Sequence, residues 1–271
     1  MVEALGGFDP KATYDDASRD YEDASRQFWQ YLSTRTVDRL RLRAGERVLD
    51  VPCGTGASLL AISALVGPTG RVIGLDYADQ MVAIARDKIR ASGVTNVEVG
   101  IGDMTVIEPP REWFDAVVCV LGVFFVDDMS ALVRSFMGLV RRGGGRVAVS
   151  VFGEHFFDPM RDVFVGAVGE VAAGVDVVEP WRRVDDEDTL RAVFQEAGVD
   201  DVRIETDDDR IALASPDDWW RIVMGSGLRA TVAMIGTRAA ALVRARCDEY
   251  VRDHHVTELV TRSRCAIVVR M

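Results

Sequence analysis

The chain has 271 residues, 48% of them hydrophobic and 28% charged, enough apolar material for a substantial core. The formal net charge of −11, from 43 acidic and 32 basic side chains, argues against nucleic acid and anionic lipid as partners. No apolar run is long enough for a membrane span, and the polar, acidic amino terminus lacks the build of a signal peptide, so a cytoplasmic protein is expected.

Residues 1–45 have no place in a minimal sheet and read as a helical lid. The segment Arg47–Val51 is a buried strand. It runs into a small-residue turn, Pro52-Cys53-Gly54-Thr55-Gly56, and then into an almost wholly apolar helix over 57–66 that Gly67, Pro68 and Gly70 stop. A second strand spans Arg71–Asp76. Asp79 is placed to cap the next helix, which carries Met81, Val82, Ala85 and Ile89 on its apolar side and ends at Gly93. Further strands are read at Val97–Gly102, Asp115–Leu121 and Arg146–Phe152, with a helix over 129–140 between the last two.

After Gly153 the alternation loosens. Helices are expected over 157–172 and from Asp188 or Thr189 to Ala197, strands at Val202–Thr206 and Cys265–Arg270, and a helical insertion at about 214–260 that would act as a cap. Alternating strands and helices at this spacing imply an α/β protein with a parallel sheet covered on both faces, whose ligand lies beyond the carboxyl ends of the strands.

Three acids stand at that edge, Asp50, Asp76 and Asp103, ending three successive strands. Asp76, about twenty residues past Gly56, can accept both hydroxyls of a ribose, and Asp103 can meet an adenine amino group. A dinucleotide would bring a pyrophosphate to the helix start, where Asp50 opposes it, and Leu59 stands where a nicotinamide fingerprint requires a third glycine. A nucleoside without phosphates, bearing a cationic amine and sulfonium, suits the acidic surroundings better. S-adenosylmethionine is that molecule.

The runs VLDVPCGTG, GLDYADQM, GDM, FDAVVCVLGVFFVDD and GGRVAVSVFG, in order over about residues 8–153, resemble the class I S-adenosylmethionine-dependent methyltransferases. They look closest to the branch with the ubiquinone and menaquinone methyltransferases. The resemblance implies a Rossmann-like, doubly wound, mostly parallel seven-stranded sheet over 46–271 and a cytoplasmic enzyme acting on a small molecule, with secondary metabolism the expected setting. It assigns the methionine part of the cofactor to the turn at Gly54 and Gly56 with Asp50 nearby, the ribose to Asp76, and the adenosine surroundings to Tyr77, Met81, Asp103 and Met104. Val120 would sit near the methionine moiety, and Tyr21, with Trp29, would close the lid. Pro52 departs from the glycine usual in the family, which puts the turn geometry there in question.

Candidates for a general base are His155, after the fifth strand, and Tyr14 in the lid. The adjacent His254 and His255 make a poor metal pair, and no metal site is expected. Phe124, Phe125, Phe152, Phe156, Phe157, Trp219, Trp220 and Met224 could wall an apolar acceptor pocket, and Arg221 could meet a substrate carboxylate. The arginines from Arg39 to Arg47 and the acidic run Asp207–Asp209 read as solvated surface, and the four cysteines as small buried thiols. The acceptor is expected to be a small apolar or aromatic molecule. The rival reading is a cyclase on the same fold that uses the cofactor structurally. The oligomeric state is open, a homodimer included.

Overall fold

The computed structural model describes residues 8–25, 28–107 and 112–271, so residues 1–7 and 26–27 of the expected lid lie outside the described residues. The chain begins with α1 (Pro10–Ser25) and α2 (Trp29–Arg39), and then alternates: β1 (Arg47–Asp50), α3 (Leu59–Val66), β2 (Arg71–Asp76), α4 (Asp79–Ser92), β3 (Val97–Ile101), β4 (Ala116–Val120), α5 (Met129–Leu139), β5 (Gly145–Phe152). The second half holds α6 (Met160–Val171), α7 (Glu187–Glu196), β6 (Arg203–Asp207), β7 (Arg210–Ala212), α8 (Pro216–Met224), α9 (Leu228–Asp253), β8 (Glu258–Val260) and β9 (Ser263–Arg270).

Seven strands form one sheet in the order β3-β2-β1-β4-β5-β9-β6. Strands β1 to β5 pair in parallel, while β9 runs antiparallel to both β5 and β6. Side chains alternate across the sheet. Leu49, Val117, Val147, Val149 and Val151 enter one buried cluster, and Val48, Val72, Val118, Ala148 and Ile267 enter the other. Burial on both faces explains why these strands read as unbroken apolar runs. All four cysteines are buried and unpaired.

The expected elements form, with instructive shifts. Asp79 lies inside the first turn of α4, whose N-cap residue is Ala78 with no side-chain cap. The amide of Gln80 is satisfied by Asp15 of α1, at 2.9 Å. The cap is thus supplied by a distant segment, and α1 is tied to α4 at the same stroke. Lys88 of α4 pairs with Glu22 of α1 at 3.0 Å. The late insertion is α8 and α9, flanked by the short ladder β7–β8, and α9 is interrupted at Gly236, where φ is 76° and ψ 165°. The arginine and aspartate runs read as solvated surface in fact meet: Arg39 holds Glu205 at 2.7 Å and Asp207 at 2.8 Å, which fastens α2 to the edge strand β6.

The lid and the insertion also touch backbone to backbone. A Cβ on Gly225, at the end of α8, would stand 2.8 Å from the carbonyl oxygen of Asp20, and Arg229 pairs with Asp20 at 2.7 Å. Gly225→Ala is expected to force α8 away from α1 at a cost of about 1–3 kcal/mol. Chemical denaturation checks this; a variant as stable as the parent would show that the contact is loose.

Candidate active site

A cavity of about 650 Å³ collects the ends of the five parallel strands under α1 and α2. Its lining takes Val51–Gly54 after β1, Asp76–Ala78 after β2, Gly102–Thr105 after β3, Val120 and Leu121 after β4, and Phe152 at the end of β5. This is the edge that the parallel topology assigns to a ligand.

Asp76 organises the floor. One carboxylate oxygen accepts from the amide of Gly54 at 2.8 Å and the other from the amide of Ala78 at 2.9 Å. Each oxygen keeps a second lone pair for a ligand hydroxyl. Gly54 has φ 53° and Gly56 φ 80°, a region that L side chains avoid. Room is short at both. A Cβ on Gly54 would lie 3.5 Å from the Tyr21 hydroxyl, and one on Gly56 would meet Leu59 at 3.2 Å and Ala85 at 3.4 Å. Gly56 does not line the cavity; it lets α4 pack against the turn.

Asp50 likewise lies beneath the lining rather than in it. It is fully buried, accepts a short hydrogen bond from the Ser58 hydroxyl, and leaves Oδ1 without a partner. Burial pushes its carboxyl up to about 7; the Ser58 hydrogen bond opposes this and the charge of Asp76 adds to it. Asp76 is raised too, chiefly by burial, against the amides that hold it. The ring of Pro52, after a cis peptide bond, fills the space beside Gly122, where a Cβ would stand 2.2 Å from Pro52 Cδ. The departure at Pro52 is therefore matched by a glycine across the cavity floor.

Asp103 accepts from the Thr105 amide and hydroxyl at 2.8 and 2.7 Å through Oδ1. Tyr77, Met81, Met104 and Val120 all line the cavity, as do Tyr14 and Tyr21. Tyr21 stacks on Trp29 with ring centres 5.0 Å apart. The lining also includes Ser33, Ser58, Ser135, Asp127 and Asp128, none of which the sequence reading picked out. Asp128 carries a legible signal: it stands just ahead of an apolar helix and caps it, accepting from the Ala131 amide at 2.7 Å.

Other expectations need correction. His155 is not part of the lining. Its side chain is 69% exposed and pairs with Asp158 at 2.9 Å, because the chain turns there with φ 64° instead of continuing over the cavity. Tyr14 does line it, yet burial, with Asp76 adding, pushes its phenol well above the ordinary range, so it stays protonated at neutral pH. Of the aromatic set, only Phe125 and Phe152 reach the cavity. Phe124, Phe156, Phe157 and Trp219 are core, and Trp220 and Met224 border a separate hollow between α1, α8 and α9. Arg221 borders that hollow too and pairs with Asp218 at 2.8 Å. Among the described residues no cluster of His, Cys, Asp or Glu could hold a metal, and no helix is long and apolar enough to cross a membrane.

A carboxyl raised on folding binds its proton more tightly in the native state than in the unfolded chain. Its stability contribution is therefore greatest at acid pH and falls as pH rises toward about 7, where native Asp50 ionises. Asp50→Asn cannot ionise. In ligand-free protein it is expected to gain stability relative to the parent between pH 5 and 8, measured as urea midpoints across about three pH values. Parallel pH profiles would refute the buried ionisation.

The residues present fit the expected cofactor. The fit rests on Asp76, a cavity-lining carboxylate with free lone pairs for a ribose, and on an acidic hollow that complements a sulfonium and an ammonium. A family model described as "Methyltransferase domain" matches residues 48–144. Ubiquinone/menaquinone biosynthesis C-methyltransferase UbiE of Enterobacter sp. (strain 638) is 32% identical over 180 residues, covering 62% of this chain and 71% of that protein. Among solved structures, the YcgJ protein from Bacillus is similar with a TM-score of 0.57 at 18% identity, covering 89% of this chain and 98% of that one. The [4+2]-cyclase SpnF is similar with a TM-score of 0.56 at 19% identity, covering 89% and 80%. These last two speak to fold alone. Sequence, sheet order and site together show that the chain belongs to the class I S-adenosylmethionine-dependent methyltransferases, in the branch similar to the ubiquinone and menaquinone enzymes, and that S-adenosylmethionine is its cofactor.

Proposed function

We propose that the enzyme methylates a small, largely apolar or aromatic acceptor, in the setting of secondary metabolism. The observation that carries the reading is the apolar part of the cavity lining, formed by Tyr14, Leu121, Phe125, Val126 and Phe152. Such a wall favours an apolar ring or chain and excludes water from the reacting centre.

When bound, the cofactor supplies a methyl group on a good leaving group, so the protein's share of the work is positioning and exclusion of water. Asp76 fixes the turn after β1 through the Gly54 amide. Leu121 takes a left-handed backbone at φ 53°, held by its amide on the Ser150 carbonyl at 3.0 Å, and so turns the chain sharply at the end of β4. Arg183 donates to the carbonyls of Phe124 and Val126 at 2.9 and 2.6 Å, which supports the loop carrying Phe125. Tyr14 in its protonated form can donate a hydrogen bond to an acceptor oxygen but cannot take a proton from it.

Incubation with methyl-labelled cofactor and a panel of small aromatic and polyketide-like acceptors tests the reading. Labelled product with an equivalent of S-adenosylhomocysteine supports it; turnover without S-adenosylhomocysteine would replace it with the cyclase reading. With a working acceptor, Phe125→Ala and Phe152→Ala are expected to raise the acceptor KM by about tenfold, following the loss of roughly 1–3 kcal/mol of apolar contact. S-adenosylhomocysteine binding should change little. Tyr14→Phe should leave the pH–rate profile unshifted, because a phenol that stays protonated contributes no ionisation to it.

A further inference from the structure

A methyl acceptor must offer a lone pair, and the cavity limits which groups keep one. The chain has three histidines, and none of them is among the described lining residues. His155 pairs with Asp158, and His254 and His255 lie exposed at the end of α9. No imidazole stands ready to take a proton from an acceptor.

The described lining carries five aspartates, Asp9, Asp76, Asp103, Asp127 and Asp128, and one cation, Lys11. Lys11 is engaged by Asp15 at 2.8 Å and Asp79 at 3.3 Å. The cofactor's sulfonium offsets one negative charge, and its amino and carboxylate groups cancel, so the hollow stays acidic with the cofactor in place. The aspartates are poor bases in their turn. Asp76 is committed to the Gly54 and Ala78 amides, and Asp128 to that of Ala131. An ordinary carboxylate also titrates about six pH units below a phenol.

The cavity's own side chains report what such surroundings do. Tyr14 and Tyr21 both line it, and burial, with neighbouring acidic groups adding, holds both phenols protonated well above the ordinary range. The ammonium of Lys11 is held in its charged form by its hydrogen bond to Asp15. A phenol acceptor placed there loses access to its nucleophilic anion, and an alkyl amine is kept as an ammonium without a lone pair. What stays nucleophilic is a nitrogen that is uncharged on its own at neutral pH, as in an arylamine or an aromatic ring.

We propose that the acceptor is methylated on such an uncharged aromatic nitrogen, carried on a body that fits the apolar lining. The nitrogen lone pair forms the new bond to the methyl carbon, and the electrons of the carbon–sulfur bond stay with sulfur, which becomes neutral. The positive charge passes to nitrogen, where the acidic lining stabilises it. An arylamine then loses its N–H proton to water, whereas a ring nitrogen keeps the charge. The inference rests on the apolar acceptor proposed above and names its reacting group.

4-Nitrophenol, which ionises near neutral pH and changes colour as it does, tests the cavity in protein saturated with sinefungin, an unreactive cofactor analogue with an amine in place of the sulfonium. Competition with 1-aminonaphthalene places the probe in the acceptor pocket. Bound probe is expected to ionise at least about one pH unit above free probe, a preference of roughly tenfold for the phenol over the phenolate. With labelled S-adenosylmethionine, 1-aminonaphthalene is expected to be methylated at least about tenfold faster than 1-naphthol, at a rate that is flat from about pH 7 to about pH 9. An unshifted or lowered ionisation of the bound probe, or a naphthol methylated faster than the amine, overturns the proposal while the apolar pocket stands. If neither 4-nitrophenol nor 1-aminonaphthalene binds, the apolar reading of the lining falls, and this inference with it.

Discussion

The site depends on one carboxylate held between two turns. Asp76 is only 8% exposed, and it stays there because the amides of Gly54 and Ala78 replace the water it loses. Those two amides belong to the segments that follow β1 and β2. The hydrogen bonds therefore do more than solvate a charge: they set the separation of the two turns between which a nucleoside must fit. Asp50 sits below them with one oxygen unsatisfied. Burial, with the charge of Asp76 adding, raises the cost of ionising Asp50, and a positive charge bound above them lowers that cost. The ligand-free protein thus carries an electrostatic strain that the cofactor's charge answers.

Helices α1 and α2 are fastened by polar contacts at their edges and by aromatic contacts at their centre. Asp15 caps α4, Glu22 holds Lys88, and Asp20 holds Arg229. Most of these ion pairs are partly exposed, so each adds little alone. Their effect is one of register: they set where Tyr14 and Tyr21 stand over the cavity, with Tyr21 locked on Trp29 and Tyr14 edge-on to Phe125 at 5.5 Å. The close approach of Gly225 to the backbone of α1 joins these helices to the late insertion. The amino-terminal helices and the late insertion are therefore mechanically linked.

Much of the cofactor half was legible in the sequence because its signals are local. A strand, a left-handed glycine turn and a helix are encoded in Arg47–Val66, and acids recur at the ends of successive strands, which puts Asp76, Asp103 and the turn at one edge of the sheet. What escaped was decided by contacts between distant segments. Nothing near Asp79 announces that Asp15 supplies the cap of α4. The arginines near residue 39 and the aspartates near 207 each look solvated until the sheet order brings α2 beside β6. His155 was placed by its distance from a strand end, and a left-handed turn sends it outward. The aromatic cluster could not be divided into core and wall, because composition alone does not say which rings face a neighbour and which face a hollow.

This division bears on how such an enzyme acquires an acceptor. Asp76, Asp103 and the turn at Gly54 stand at strand ends of the central sheet, and the match to the methyltransferase domain, over residues 48–144, covers that part. Tyr14, Tyr21 and Ser33 come from α1 and α2, and Phe152 stands at the last position of β5, outside that span. Changes there alter the wall without disturbing the Asp76 contacts, since no hydrogen bond of Asp76 reaches the lid. Tyr21 is one link between the two parts, since it lies beside Gly54 on one side and stacks on Trp29 on the other, and the contacts of Asp15 and Glu22 with α4 are others. On the proposed reading, a change in α1 or α2 that reshapes the wall must keep these contacts in place, which limits how far the wall can change while the turn after β1 keeps its geometry.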